Sequence, residues 1–260
     1  MYPWYDGWWL ADYARAREIL ARERPEVLEP FERALKVFEA PADFTVPTLD
    51  GVFDAATLET IRQTLASLRP DELEMHEATS FGRFVVHNHP YFTELQRSLV
   101  PFVSRQAGEQ VEASYNFASL YGAPGVCPPH MDAPDAKWTL DVCIRQSAPW
   151  PIHFSQIVPW PAPGAWPEDP GAFDHAVRTS PELTFTSVTL EPGQAALFSG
   201  SSQWHYRDRM PPHDGRRFCE LLFFHFIPAG TRELVMPSHW ARIFGVPQLA
   251  GLGRTDNDFV

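Results

Sequence analysis

Cysteine is scarce in this chain: 260 residues contain three, Cys127, Cys143 and Cys219. They lie 16 and 76 positions apart, so neither a paired disulfide framework nor a Cys-x-x-Cys zinc or redox motif can be assembled from them. Any bound metal must be held by imidazoles and carboxylates, which suits iron, manganese or zinc better than a thiophilic ion. Basic clusters are missing as well. The 33 acidic residues outweigh 21 Lys plus Arg, for a net charge of −12, and the excess is spread as 17 against 10 over residues 1–100 and 16 against 11 over 101–260. Diffuse acidity without a Lys/Arg cluster argues against nucleic acid or an anionic membrane as the main partner. No apolar run approaches the roughly 18 residues of a membrane span. The opening Met-Tyr-Pro-Trp-Tyr-Asp-Gly-Trp-Trp has no basic region of the kind that begins a secretion signal. A reduced, cytoplasmic setting is the default expectation.

What is present is enough for a large core. Apolar residues make up 44% of the chain, and the length allows one large domain. Proline thickens at Pro149–Pro170, with Trp150, Trp160 and Trp166 inside the stretch, so it reads as a loop insertion rather than a linker. There is no internal repeat.

The first third reads as helices. Leu28, Phe31, Leu35 and Phe38 share one helical face, and so do Leu58, Ile61, Leu65 and Leu68. Asp54 is a plausible N-cap, Phe53 and Leu58 can form a hydrophobic staple across it, and Pro70 closes that helix. Another helix is expected to begin at Pro90 and to carry Phe92, Leu95, Leu99 and Phe102 inward. Beyond residue 111, stretches rich in β-branched and aromatic residues recur at Val111–Tyr121, Trp138–Arg145, Ile152–Val158, Phe185–Leu190, Gln194–Phe198, Gln203–Arg207 and Arg217–Ile227. Glu191-Pro192-Gly193 is a type II turn candidate between two of them. Helices followed by about seven short strands imply an α+β protein with a mainly β core, an antiparallel sandwich or barrel.

On that core, Cys127-Pro128-Pro129-His130-Met131-Asp132 sets His130 and Asp132 two positions apart, on one face of an extended chain. A second imidazole, His205, follows 73 residues later. Either piece alone is common by chance. Their combination with Gly215-Arg216-Arg217-Phe218, which opens an apolar strand, is less so, because an Arg leading into a buried strand is costly unless it meets an anion.

The ordered set His130-x-Asp132, His205 and a later Arg resembles the ferrous-iron and 2-oxoglutarate-dependent oxygenases. The likeness spans roughly residues 46–230 and includes Gly51-Val52-Phe53-Asp54, the Pro-Gly turn with Ala196-Leu197-Phe198, and the Gly-Arg-Arg-aromatic strand. It implies a double-stranded β-helix, or jelly roll, with N-terminal helices packed on one sheet. It implies a single catalytic domain over 1–260: a helical support region (1–110), a jelly-roll core (111–230) and a C-terminal extension (231–260). His130, Asp132 and His205 would form the two-His-one-carboxylate triad, with positions left for 2-oxoglutarate and dioxygen. Succinate and carbon dioxide would be co-products of hydrogen abstraction from a substrate. Halogenating relatives have a small residue in place of the carboxylate, so Asp132 favours hydroxylation or desaturation.

Arg217 would bind the distal carboxylate of 2-oxoglutarate, with Arg216 the alternative, since strand alternation allows only one of the two to face inward. Arg217, Cys219, Leu221, Phe223 and His225 share one expected face, and Arg216, Phe218, Glu220, Leu222 and Phe224 the other. Relatives have a Tyr three positions before the first ligand, where this chain has Cys127. Tyr115, Asn116 or Tyr121 would take over its contact with the co-substrate. Trp138 and Lys137 are candidate substrate-pocket residues, and Arg207 could capture an acidic substrate group, although solvation or pairing with Asp208 or Asp214 is the blander reading. Single-domain size, the absence of a partner-binding repeat or basic tract, and the 149–170 insertion as a lid over a compact pocket favour a small-molecule substrate such as an amino acid or natural-product intermediate. A peptidyl-residue hydroxylase and a catalytically silent jelly-roll binding module stay open as alternatives.

Overall fold

The computed structural model describes residues 2–253. Ten strands form two antiparallel sheets. The strands are β1 (Thr48–Leu49), β2 (Arg83–His87), β3 (Val111–Tyr121), β4 (Cys127–His130), β5 (Trp138–Gln146), β6 (Ile152–Ser155), β7 (Phe185–Val188), β8 (Ala195–Phe198), β9 (His205–Arg207) and β10 (Cys219–Pro228). Six of them run in the order β1-β8-β5-β10-β3-β2 and the other four in the order β4-β9-β6-β7.

Alternation along β10 shows how the layers are made. Leu222, Phe224 and Phe226 point to one side, where they join Trp138, Leu140, Val142 and Ile144 of β5 beneath two helices. Cys219, Leu221 and Phe223 point to the other and pack with Tyr121, Cys127, Cys143 and Trp150 between the sheets. Phe154 of β6 meets Phe198 of β8 across the same interior, ring centroids 4.8 Å apart. A strand buried on both faces is apolar throughout, and each large side chain such as Phe224, fully buried, contributes about 1.5–3 kcal/mol. Phe224→Ala would remove about 3–5 kcal/mol through the cavity left under the helices.

The covering helices are α3 (Ala55–Ser67) and α4 (Pro90–Ala107). Asp54 caps α3 by accepting from the Thr57 amide at 2.7 Å. Pro90 occupies the first turn of α4, and Gly108 ends it at φ 72°, a left-handed conformation that glycine adopts without strain. Gln96 of α4 donates to the carbonyls of Tyr115 and His225, both at 2.7 Å. It does so beside the irregularity in the β3–β10 ladder between Phe224 and Phe226, where ladder partners are lost.

The expected packing of N-terminal helices on one sheet holds for α3 and α4, and the first two helices depart from it. α1 (Trp8–Glu23) and α2 (Pro25–Leu35) pack instead with the C-terminal segment, including α6 (Trp240–Ile243), in a second core of Trp9, Leu20, Phe31, Phe38, Trp240 and Leu249. Trp9 Nε1 donates to the Val235 carbonyl at 2.7 Å, and the Phe31 and Trp240 rings meet at 5.1 Å. The 149–170 insertion joins this core too. Trp160 and Trp166 pack against it, Tyr2 donates to the Pro161 carbonyl at 3.0 Å, and α5 (Pro170–Thr179) follows, capped by Asp169. The insertion is thus anchored at Trp160, Pro161 and Trp166.

Candidate metal centre

Strands β4 and β9 pair so that His130 lies opposite His205, their ring centroids 4.1 Å apart. Asp132 follows β4, its amide donating to the Gly200 carbonyl at 2.9 Å. Its Oδ1 lies 3.4 Å from His130 Nε2 and 3.6 Å from His205 Nε2. One ligand atom from each of the three residues falls within 4.8 Å of the others.

Both rings are oriented from behind. His130 Nδ1 is 2.9 Å from the Pro128 carbonyl, and His205 Nδ1 is 3.1 Å from the Gln203 carbonyl. A backbone acceptor at Nδ1 keeps the proton there and presents the Nε2 lone pair to the centre, the arrangement that supports a ligating histidine. The 199–204 loop that delivers His205 is itself fixed. Gln203 accepts from the Ser199 amide at 3.0 Å and donates to the Ser155 carbonyl at 2.7 Å, while the Ser155 hydroxyl accepts from the Trp204 amide at 2.9 Å.

The electrostatics suit a cation. Burial works against the charge on Asp132, yet His205 and His130 beside it hold the carboxyl well below the ordinary range. Burial lowers His205, and its neighbour His130 lowers it further. Burial also opposes charge on His130, but Cys127 and Asp132 together raise its pKa well above the usual imidazole value. Two imidazoles thus share one carboxylate, and a divalent ion would replace the proton held between them.

No family model matches the chain, and no curated protein matches it by sequence. Solved structures do match. HygX from Streptomyces hygroscopicus, with nickel and 2-oxoglutarate bound, superposes with a TM-score of 0.52 at 14% identity, over 76% of this chain and 87% of that one. The non-heme alpha ketoglutarate dependent epimerase SnoN from nogalamycin biosynthesis gives 0.52 at 16%, over 80% and 89%. The carbocyclase SnoK of the same biosynthesis gives 0.53 at 10%, over 73% and 85%. The chain shares the fold of these three proteins.

Within this fold the other expected site residues scatter. Asn116 is fully buried on the helix side of β3, where its amide donates to Thr93 Oγ1 and Gln96 Oε1 of α4. It ties the sheet to a helix and lies outside the cavity. Trp138 is likewise in the helix-side core, against Phe44 at 4.8 Å, with its indole N–H on Glu109. Lys137 donates to Glu109 and to the Val37 carbonyl, a buried structural pair rather than a pocket wall. Tyr121 faces the interior and accepts from Arg83 Nη1 at 2.9 Å. Arg216 is exposed and Arg217 half-buried, both ahead of the first residue of β10, and neither has a hydrogen-bond or ion-pair partner among the described residues.

Arg207 is the interior cation. It is 3% exposed, donates to Asp141 Oδ2 and to the Trp150 carbonyl, both at 2.6 Å, and lies over the Trp150 ring at 5.2 Å. Neither Asp208 nor Asp214 pairs with it among the described residues.

Asp141, Arg83 and Asp6 are not among the site residues expected from the sequence, and His225 is on the strand face expected to point inward. Asp141 sits in the middle of the apolar run Trp138-Thr139-Leu140-Asp141-Val142-Cys143-Ile144, a placement that itself calls for a buried cation. Arg83, from β2, pairs with Glu77 and lies over the Phe81, Phe117 and Tyr121 rings. His225 holds its Nδ1 against Thr139 Oγ1 at 2.9 Å and stacks on Tyr115 at 4.2 Å. Burial pushes its pKa down to about 3, so it is a neutral wall of the cavity. Asp6, from the segment before α1, faces Asp132, Asp135, His130 and Glu77. Burial, then Asp132 and Asp135, push its pKa up to about 8, and Asp135 rises to about 7 through burial and Asp132.

Proposed function

We propose that this chain is a ferrous-iron- and 2-oxoglutarate-dependent dioxygenase that hydroxylates an unactivated C–H bond of a small molecule. The observation that carries the reading is the convergence of His130, Asp132 and His205 at one end of the cavity between the sheets, all three donor atoms within 4.8 Å. The strand orders β8-β5-β10-β3 and β4-β9-β6-β7 support a double-stranded β-helix as the scaffold, with the entire chain acting as one catalytic unit.

The residues present fit both groups the fold implies. Two neutral imidazoles and one carboxylate are a nitrogen and oxygen donor set for Fe(II) with positions to spare. Buried guanidiniums below them suit the far carboxylate of a dicarboxylate. When bound, iron with 2-oxoglutarate and dioxygen supplies the oxidising power for hydrogen abstraction, with succinate and carbon dioxide as co-products. The chain supplies the rest. His130 and His205 would hold the metal through Nε2, while the Pro128 and Gln203 carbonyls keep their Nδ1 atoms oriented. Asp132 would supply the carboxylate ligand, at a position a halide would otherwise need. The Tyr115, Phe117, Phe223 and His225 rings stack on one another in the interior and would exclude water from that side of the site.

A small-molecule substrate is supported by SnoN, solved with Fe3+, alpha ketoglutarate and nogalamycin RO at a TM-score of 0.50 and 18% identity over 78% of this chain and 88% of that one. A peptidyl substrate would call on the N-terminal helices for docking, and α1 and α2 are the two that do not cover the six-stranded sheet. Their apolar residues are instead consumed against the C-terminal segment. The test is an anaerobic titration of the folded protein with Fe(II) and then 2-oxoglutarate. The expected result is a metal-to-ligand charge-transfer band that His130→Ala or Asp132→Ala abolishes. No band from the parent sinks the reading.

A further inference from the structure

If the chain binds 2-oxoglutarate as proposed above, the distal carboxylate needs a cation inside the cavity. The position of that cation follows from the strand that carries His205. In β9, His205 and Arg207 are two residues apart and share a face, so Arg207 lies one pleat repeat, roughly 6.6–6.8 Å, further along the strand. That is about the span of a five-carbon dicarboxylate whose keto end is held at the metal. Pairing across to β4 gives the same level: His130 stands opposite His205, and Cys127 opposite Arg207.

Arg207 is also equipped for the contact. Its Nη1 and Nη2 each use a hydrogen on Trp150 and Asp141. Its Nε–H and the second hydrogens of both Nη atoms have no partner among the described residues, which leaves a forked edge for a bidentate carboxylate. Asp141 holds the guanidinium in place from β5 and is itself fully buried, with Oδ1 unpartnered. Tyr121, with Arg83 behind it, lies within electrostatic reach of Arg207 and closes the base of the cavity from β3. Arg217, by contrast, precedes β10 and has no strand pairing to aim it.

We infer that Arg207, held by Asp141 and Trp150, anchors the distal carboxylate of 2-oxoglutarate, in place of Arg217. Asp141 is then a positioning residue, setting the guanidinium edge that the carboxylate meets.

The test compares 2-oxoglutarate with 2-oxobutyrate, which keeps the metal-binding keto acid and lacks the distal carboxylate. Both are titrated anaerobically into the Fe(II)-loaded parent, Arg217→Gln, and the double variant Arg207→Gln/Asp141→Asn, reading the charge-transfer band. The double variant replaces a buried ion pair by a neutral hydrogen-bonding pair, so neither charge is left alone. Arg207→Lys serves as a second, charge-conserving variant that loses the fork and should keep only part of the preference. The parent is expected to prefer 2-oxoglutarate by at least tenfold, and Arg217→Gln to keep that preference. The double variant should lose it while binding 2-oxobutyrate and Fe(II) like the parent. Retained preference in the double variant, or its loss in Arg217→Gln, overturns the assignment. A parent that gives no band with either keto acid fails earlier and refutes the dioxygenase reading together with the assignment.

Discussion

The Asp132 carboxylate rests directly against the α-carbon of Gly200. A β-carbon at that position would collide with the carboxylate and come within 2.6 Å of the Ala136 carbonyl. Only glycine leaves the space, and the Gly200 carbonyl also receives the Asp132 amide. Position 200 therefore sets where the metal's oxygen ligand can sit.

Gly200→Ala should displace that carboxylate and weaken Fe(II) or Co(II) binding by about 10–100-fold, the usual cost of disturbing a group that orients a ligand. Calorimetric titration checks it, with circular dichroism confirming the fold. Unchanged metal affinity would mean that the carboxylate tolerates the shift.

Metal binding should release protons. His130 is held protonated to above its ordinary range by Cys127 and Asp132, and a ligating imidazole must be neutral. Affinity for Fe(II) should therefore rise as pH increases from 6 to 8. Titration in buffers of different ionisation enthalpy should report a net proton released per ion, and zero release would contradict the charge state assigned to His130.

At the mouth of the cavity, Asp6 and Asp135 impose a pH dependence on stability. A carboxyl whose pKa rises on folding, here to about 8 for Asp6 and about 7 for Asp135, binds protons more tightly in the native state. Its penalty is absent below about pH 4 and complete above its folded pKa, so stability declines across that interval. Asp6→Asn should melt increasingly above the parent from pH 5 to pH 8, by about 1 kcal/mol at the upper end once solvent screening at a half-buried site is allowed for. A difference in melting temperature that does not grow with pH would refute the account.

The Arg207–Asp141 pair should show strong coupling in a stability cycle. Removing either partner alone leaves a buried charge uncompensated, at about 3–5 kcal/mol. Arg207→Met and Asp141→Leu should each lose that much in urea unfolding, and the double variant should recover most of it. Additive losses would show that the two groups do not depend on each other.

Much of this molecule was legible in its sequence, for reasons that differ between elements. The Asp54 cap, Pro90 at the start of α4 and the alternation of Cys219–Phe226 are local signals, and the structure follows them. Glu191-Pro192-Gly193 forms the expected turn, with Gly193 at φ 95° and the Gln194 amide on the Glu191 carbonyl at 2.9 Å. The triad was readable because the spacing of His130 and Asp132 puts both on one side of an extended chain. Asn116 and Tyr121 show where the reading stopped. An odd number of positions separates them, so one regular strand cannot turn both inward, and which one does so is set by the packing of β3 rather than by parity. Trp138 and Lys137 needed knowledge of what covers the sheet, which no local pattern encodes. Arg207 closes an expected strand beside Asp208, so pairing with a near neighbour is the simple reading, and its actual partner Asp141 arrives from 66 positions away.

Two indoles happen to mark the two ends of the site. Trp204 is adjacent in sequence to His205, at the metal end, and is held by Trp4 and Phe173 at 4.8 and 5.7 Å. Trp150 lies under the Arg207 guanidinium at the deep end. The protein therefore carries its own pair of optical gauges. A paramagnetic ion should dim Trp204 and an anion arriving at the base should shift Trp150; because the chain has 9 Trp, the difference between the parent and Trp204→Phe or Trp150→Phe isolates each end.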